Sequence, residues 1–257
     1  MISLFRLKGR ALQLDNTLII TLAFFTGTVL MVTVNFLPVL YQNYLLIFFS
    51  FGTEILSAAV NLIFAFAFFL TAFGFYFSIS LGIKRYLFMN ACKKKPTSRD
   101  IFFYFRPKAF FSAYFYSIKL FGVKALVFLF SFLPLAACSF AVYSFSHLGV
   151  SALVCVSFVV TAVCLGISGS LFFGVFCSSY FLCDYYFIEG TYVSFRHLVS
   201  CSQSNMKDRK LLLSRLKFSF AGWLLLCFFI LPIPYVWSYY SQSMAVAAAE
   251  FMKGKEH

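Results

Sequence analysis

Asp184 and Glu189 stand at the end of a long apolar run, and Lys119 and Lys124 at the start of another. Charges at such places are the first functional pointers in a greasy chain. A charged side chain in hydrocarbon costs about 3 kcal/mol or more unless it is paired or used. The two ends share one membrane level, so an ion pair such as Asp184 with Lys124 can form. The plainer reading, that these charges only anchor helix ends, takes the larger share. Glu54 and Asn61 are open to the same two readings. Reaction chemistry has little else to work with. The G-x-S-x-G, H-E-x-x-H, P-loop and G-x-G-x-x-G patterns, which supply a nucleophile, a zinc site or a phosphate cradle, do not occur. One of the three histidines is the last residue, and the eight acidic residues are scattered rather than paired for acid–base work. Cys138, Cys155, Cys164, Cys177, Cys183 and Cys227 lie in or at the ends of apolar runs, with Cys92 and Cys201 in polar stretches. Without a C-x-x-C pair or a spaced histidine pair they read as small packing residues. The expectation is no catalytic residue, no cofactor and no metal.

The elements that position these groups follow from the solvent they imply. Hydrophobic residues make up 62% of the chain and charged ones 11%, and the apolar residues come in long blocks. A soluble domain of this length must keep more of its surface polar. The fold class expected is therefore all-α: a polytopic transmembrane helix bundle, one membrane domain over 1–257. A bilayer core of roughly 30 Å takes about 20 helical residues. That length gives about six spans, near 18–40, 55–83, 119–144, 150–183, 218–231 and 235–251. The first is read as an uncleaved span rather than a signal peptide. The fourth exceeds one straight crossing, so that it either kinks, with Gly166 and Gly169 as the places, or projects at its cytoplasmic end. Pro232 and Pro234 force a bend between the last two, which are short enough to form a re-entrant pair instead.

The formal charge of +13 would suggest nucleic acid in a soluble protein, but no recognition motif accompanies it. Here the charge sorts by side. With the N-terminus and C-terminus cytoplasmic, the outer loops hold no Lys or Arg, 19 basic residues fall in cytoplasmic segments, and Lys119 and Lys124 snorkel from the first turns of span three. The clusters Lys93-Lys94-Lys95 and Lys207, Arg209, Lys210 are the candidate contacts with anionic lipid head groups. Short interfacial helices belong in these cytoplasmic loops. Thr97-Ser98-Arg99-Asp100 has the form of a capping box, the Phe-rich stretch 102–116 is broken at Pro107, and Met206 to Lys217 forms a basic amphipathic lead-in.

Two small-residue triplets recur at four-residue spacing: Gly74, Ser78, Gly82 and Gly166, Ser170, Gly174. Such residues share a helix face and let backbones approach, so these faces can pack on each other or on neighbouring spans; chance recurrence explains them equally well. The 39 phenylalanines are spread over all helix faces and read as lipid-facing bulk rather than as the lining of a pathway.

Ser202, Met206-Lys207 and Lys210, followed by Ser219-Phe220-Ala221-Gly222-Trp223, form the most specific pattern. Together with Gly82 to Tyr86, Lys95-Pro96 and Asp100-Ile101-Phe102, this pattern resembles domain-of-unknown-function family 975, bacterial integral membrane proteins related to the membrane domain of glycerophosphoryl diester phosphodiesterases. Asp208 departs from it where a glycine is usual, and Ser238 stands at a proline's place. The resemblance implies several spans, a bacterial cell (plasma) membrane and no assigned activity; no phosphodiesterase catalytic domain follows. The signature residues Ser219, Phe220, Gly222 and Trp223 would open a span, with Gly222 permitting close helix approach and Trp223 anchoring at the interface. The function expected is a non-enzymatic organising or regulatory component of the envelope, touching anionic lipid and with room for a membrane protein partner, but no nucleic acid. A small transporter or permease subunit is the alternative, and an intramembrane enzyme acting on lipids ranks last.

Overall fold

Apolar runs without strand-like alternation leave the backbone one local way to satisfy its own amides, the helix. The computed structural model describes residues 2–14, 54–147, 152–190, 194–226 and 233–253, and among these there is no strand. The helices are α1 (Ile2–Leu14), α2 (Glu54–Ala91), α3 (Pro107–His147), α4 (Ala152–Ser178), α5 (Cys183–Glu189), α6 (Phe195–Met206), α7 (Lys210–Phe218), α8 (Ala221–Leu226) and α9 (Ile233–Lys253). The expected span 18–40, the stretch 44–51, the external turn at Gly149 and residues 227–232 lie outside the described residues.

Two helical stretches, Pro107–Ala141 and Val156–Glu189, are long and apolar enough to cross a membrane. Their most apolar segments each have a mean hydropathy of 2.1, yet only 6% of those segments is buried. The apolar core helix of a soluble protein would be mostly covered. Here Phe130 and Phe140 are each 72% exposed, so large apolar side chains have little protein cover. At about 0.8 kcal/mol per buried methylene, apolar surface of this extent marks an interaction with a membrane or with further protein.

The chain divides into two compact units, Met1–Phe115 with Ser219–His257, and Tyr116–Phe218; α3 begins in the first and continues in the second. In the first unit α9 is the core. Residues Gln242 to Ala249 are buried, and the alanines let its neighbours come close. α1 lies along it. Phe5 meets Phe251 edge-on at 5.9 Å, Lys8 pairs with Glu250 at 3.0 Å, and Gly9 backs directly onto Ser243. Arg6 stacks over Phe220 and donates to Tyr239 Oη at 3.3 Å. The basic start of the chain is therefore a packed helix rather than a bare lead into a span. α2 covers α9 as well, with Leu87 O accepting from Gln242 Nε2 at 3.4 Å.

Several expected boundaries move. α2 runs through Lys84 and Arg85 to Ala91, two turns beyond the expected end, because Tyr86, Leu87 and Phe88 are buried. It stops in a Schellman turn: Lys94 N donates to Met89 O, Lys93 N to Asn90 O, and Lys93 takes the left-handed conformation at φ 59°. Asp100 Oδ2 accepts from Thr97 N at 2.8 Å and Thr97 Oγ1 at 2.9 Å, and the cap opens a 3-10 turn, Ser98–Asp100, rather than an α-helix. Pro107 begins α3 instead of ending a helix. Proline suits the first helical position, where its missing amide is no loss. Consequently Lys119 and Lys124 lie three and more turns inside a 41-residue helix rather than in its first turns. α4 is continuous from Ala152 to Ser178 through Gly166 and Gly169, and the far end of the fourth expected span is a turn at 179–182 that leads into α5. Of the fifth, the described residues are a turn at Ser219-Phe220 and α8 as far as Leu226, the rest lying outside them, and Pro234 lies in the first turn of α9.

Candidate functional site

In the second unit α3 and α4 form an antiparallel hairpin in steady register. Leu135 faces Gly166, Ser131 faces Gly169, and Phe128 meets Phe173 edge-on at 5.6 Å. A Cβ on Gly169 would stand 2.6 Å from Ser131 O, so this glycine sets the close approach. Continued toward the hairpin's open end, the register sets Lys124 opposite Cys177 and brings Tyr116 to Asp184.

There the polar groups collect. Tyr116 Oη donates to Asp184 Oδ1 at 2.7 Å, both side chains being buried. The Tyr116 ring stacks on Phe187 at 4.1 Å and meets Phe195 edge-on, so the phenol is held in place from both sides. Lys124 is the partner that the sequence offers Asp184; the hydrogen bond found comes from Tyr116.

The break between α4 and α5 releases carbonyls that need donors. Ser179, Tyr180 and Phe181 tighten into three-residue turns, and the hydroxyl of Ser202, buried on α6, donates to Ser179 O at 2.8 Å. On the same helix Gln203 Nε2 donates to Tyr180 Oη at 3.3 Å, and Asn205 Nδ2 bonds Tyr186 Oη. Leu198, Ser202 and Met206 form the buried face of α6, at four-residue spacing. That spacing was the available signal for Ser202 and its neighbours, beyond its place in the family pattern. A phenol on a carboxylate, one hydroxyl on a carbonyl and two amides on phenols make a latch across the helix break; none of these is a nucleophile paired with a base.

α7 adds Lys217 to the wall behind Cys177, as α7 packs on α4. Lys124, Cys177 and Lys217 interact electrostatically. Burial pushes the Lys217 ammonium below the usual lysine range; Cys177 opposes the shift and the Lys124 charge adds to it. Lys119, by contrast, is exposed.

The remaining sequence candidates are spread over both units. Lys93, Lys94 and Lys95 are exposed at the end of α2. Lys207 is exposed, with Arg209 and Lys210 half-buried, in the turn between α6 and α7. Gly74, Ser78 and Gly82 are all buried. A Cβ on Gly74 would stand 2.9 Å from the Tyr114 ring, and one on Gly82 would overlap Ile101 O. Gly82 thus seats α2 on the 3-10 turns, where Arg85 Cζ lies 4.0 Å over Phe103 and Arg85 Nε 3.8 Å from Asp100. Burial, and then the Asp100 charge, push the neighbouring Tyr86 phenol up. In α4, Gly166 makes ordinary contact, the Ser170 hydroxyl turns back to Gly166 O, and Gly174 has open space.

Of the signature residues, Phe220 is fully buried, packed edge-on at 5.0 Å against Tyr239 and 5.4 Å against Tyr240. Trp223 meets Tyr239. Gly222 has nothing within 4 Å of a built Cβ, so among the described residues it marks no close helix approach. Comparison with protein-family models, with curated proteins and with solved structures gives no match.

Proposed function

We propose that the chain is a multi-pass protein of a bacterial cell membrane, N-terminus and C-terminus inside, that organises or regulates envelope components in contact with anionic lipid. The observation that carries the reading is the exposure of α3 and α4. Two stretches of mean hydropathy 2.1 with almost no burial call for a hydrocarbon surround. The sorting of Lys and Arg into the segments between apolar runs supports the orientation and the lipid contact. The likeness of Ser219 to Trp223 and of Ser202 to Lys210 to the family of bacterial membrane proteins named above agrees with it. A non-enzymatic role is favoured because Asp184, Ser202, Gln203 and Asn205 are engaged in holding the helix break together.

One observation favours the second reading, a small transporter. The break at 179–182 is a discontinuous helix of the kind that forms substrate sites in transporters. Its carbonyl at Ser179 is capped by Ser202 rather than left for an ion, which weighs toward the first reading.

Alkaline carbonate extraction of membranes, with reporter fusions after Lys95 and at the C-terminus, tests the proposal. Retention in the pellet with both reporters cytoplasmic is expected. Release into the supernatant, or a periplasmic reporter at Lys95, overturns it. Affinity purification in native-lipid particles, with mass spectrometry of what stays bound, separates the organising role from transport.

A further inference from the structure

Lys124 and Lys217 come from different helices and converge on one residue, Cys177. The antiparallel register of α3 and α4 places Lys124 opposite it, and α7 carries Lys217 to the same place. Both lysines are half-buried, and neither has a carboxylate partner among the described residues. Two like charges held together out of water repel each other and lose hydration. A group of opposite charge between them would reverse both penalties. Lysine binds phosphate as a point charge and asks no fixed geometry of it.

From this convergence we infer that Lys124 and Lys217 form a binding site for a phosphate anion, presented in the membrane as the head group of an anionic phospholipid. The site lies one helical turn from the Phe128–Phe173 contact, where the hairpin passes from polar to apolar lining. A head group there would leave its acyl chains beside exposed apolar residues of the same hairpin, Leu126 and Phe176 among them. The source of the phosphate rests on the membrane reading above; the anion site itself does not. It is distinct from the exposed clusters Lys93–Lys95 and Lys207–Lys210, which would attract any negative surface.

Thermal unfolding of the full chain in neutral detergent tests the inference. Phosphatidylglycerol, phosphatidylcholine and inorganic phosphate are titrated separately into the wild type, into Lys124→Gln/Lys217→Gln, and into a surface control, Lys93→Gln/Lys94→Gln/Lys95→Gln. Phosphatidylglycerol should raise the Tm of the wild type and of the surface control. Its apparent affinity should fall at least roughly tenfold in the Lys124/Lys217 variant, the scale of a lost charge-assisted contact. Stabilisation by inorganic phosphate alone, lost in the same variant, would keep the anion site and reject the lipid source. An equal response of wild type and Lys124/Lys217 variant, or an equal response to phosphatidylcholine, overturns the site. If the double variant does not fold, native mass spectrometry of the wild type and of the single variants Lys124→Gln and Lys217→Gln, each offered both lipids, decides: preferential retention of phosphatidylglycerol that weakens in both single variants supports the site, and retention equal to the wild type's overturns it. Failure here with retention in the carbonate pellet removes the site alone, whereas release into the supernatant removes the membrane reading and the lipid source and leaves the anion site.

Discussion

Gly82→Ala adds one methyl group where the backbone of another segment already stands. The new Cβ would overlap Ile101 O and lie 2.8 Å from the carbonyl carbon and 3.2 Å from the Cα of that residue. These are backbone atoms of the 3-10 turns, so no side chain can rotate away. α2 and the turn must part by about 1 Å or more to restore normal contact, an overpacking strain of about 1–3 kcal/mol. Parting them also opens the Arg85 stack on Phe103, now 4.0 Å, for a further 0.5–2 kcal/mol or so. At about 2–4 °C per kcal/mol for a chain of this size, the expected fall in Tm is about 5–15 °C. Thermal unfolding in detergent, followed by circular dichroism, measures it. Gly122→Ala and Gly222→Ala are the controls, since a Cβ at either meets nothing within 4 Å. Both should match or exceed the wild type, alanine being better than glycine in a helix by about 0.5–1 kcal/mol. A Gly82→Ala variant as stable as these controls would refute the packing argument.

Tyr116→Phe removes the donor to Asp184 and leaves a buried carboxylate short of a partner, with an expected loss of about 1–3 kcal/mol; Tyr116→Phe in an Asp184→Asn background should lose less, and equal losses in chemical denaturation would deny the coupling. Lys93→Gly relieves a left-handed lysine at the α2 terminus and should stabilise by about 1 kcal/mol, read as a rise in Tm with unchanged helix content; a fall would contradict the Schellman assignment. Because the folded-state pKa of Lys217 lies below its ordinary 10.5, the unfolded chain binds the extra proton between the two values, so this residue makes stability rise as pH climbs through that window. Lys217→Gln should flatten the rise in unfolding measured without anionic lipid, and an unchanged slope would remove Lys217 as its source.

Local signals with a backbone mechanism were legible in the sequence. Thr97 and Asp100 form their reciprocal cap because a short acceptor three residues on can reach the free amides. Proline was ambiguous in isolation. Pro107 ends whatever precedes it and also starts whatever follows, and only the helix downstream shows that the second role applies. Arg85 misled for a different reason. A charge reads as the end of an apolar helix, yet its guanidinium lies over the Phe103 ring and within ion-pair distance of Asp100, which arrive from another segment. The site was half legible in the same sense. Asp184 drew attention as a charge at the end of a greasy run, but Tyr116 as its partner and Lys217 as the neighbour of Lys124 depend on register between helices, and hydropathy carries no register.

A deeper ambiguity lies in what apolar composition means. It says that water is unwelcome, and says nothing of whether lipid or protein replaces it. α3 and α4 expose Phe130, Leu133, Phe140 and Val163, large side chains whose bulk keeps other helices at a distance. α9, less apolar than either because of its tyrosines, serines and Gln242, is the covered core of its unit and carries smaller side chains over its second half. Ala245, Ala247, Ala248 and Ala249 let α1 and α2 close on it, and Ser238, Gln242 and Ser243 are fully buried among them, with Gln242 Nε2 donating to Leu87 O. Small size and scattered polarity therefore go with lower hydropathy in the helix that other helices cover, whereas α3 and α4 combine bulk with high hydropathy and lie exposed. By that criterion Ser157, Thr161, Cys164 and Ser168 on α4, small and exposed, stand apart from the bulky residues around them.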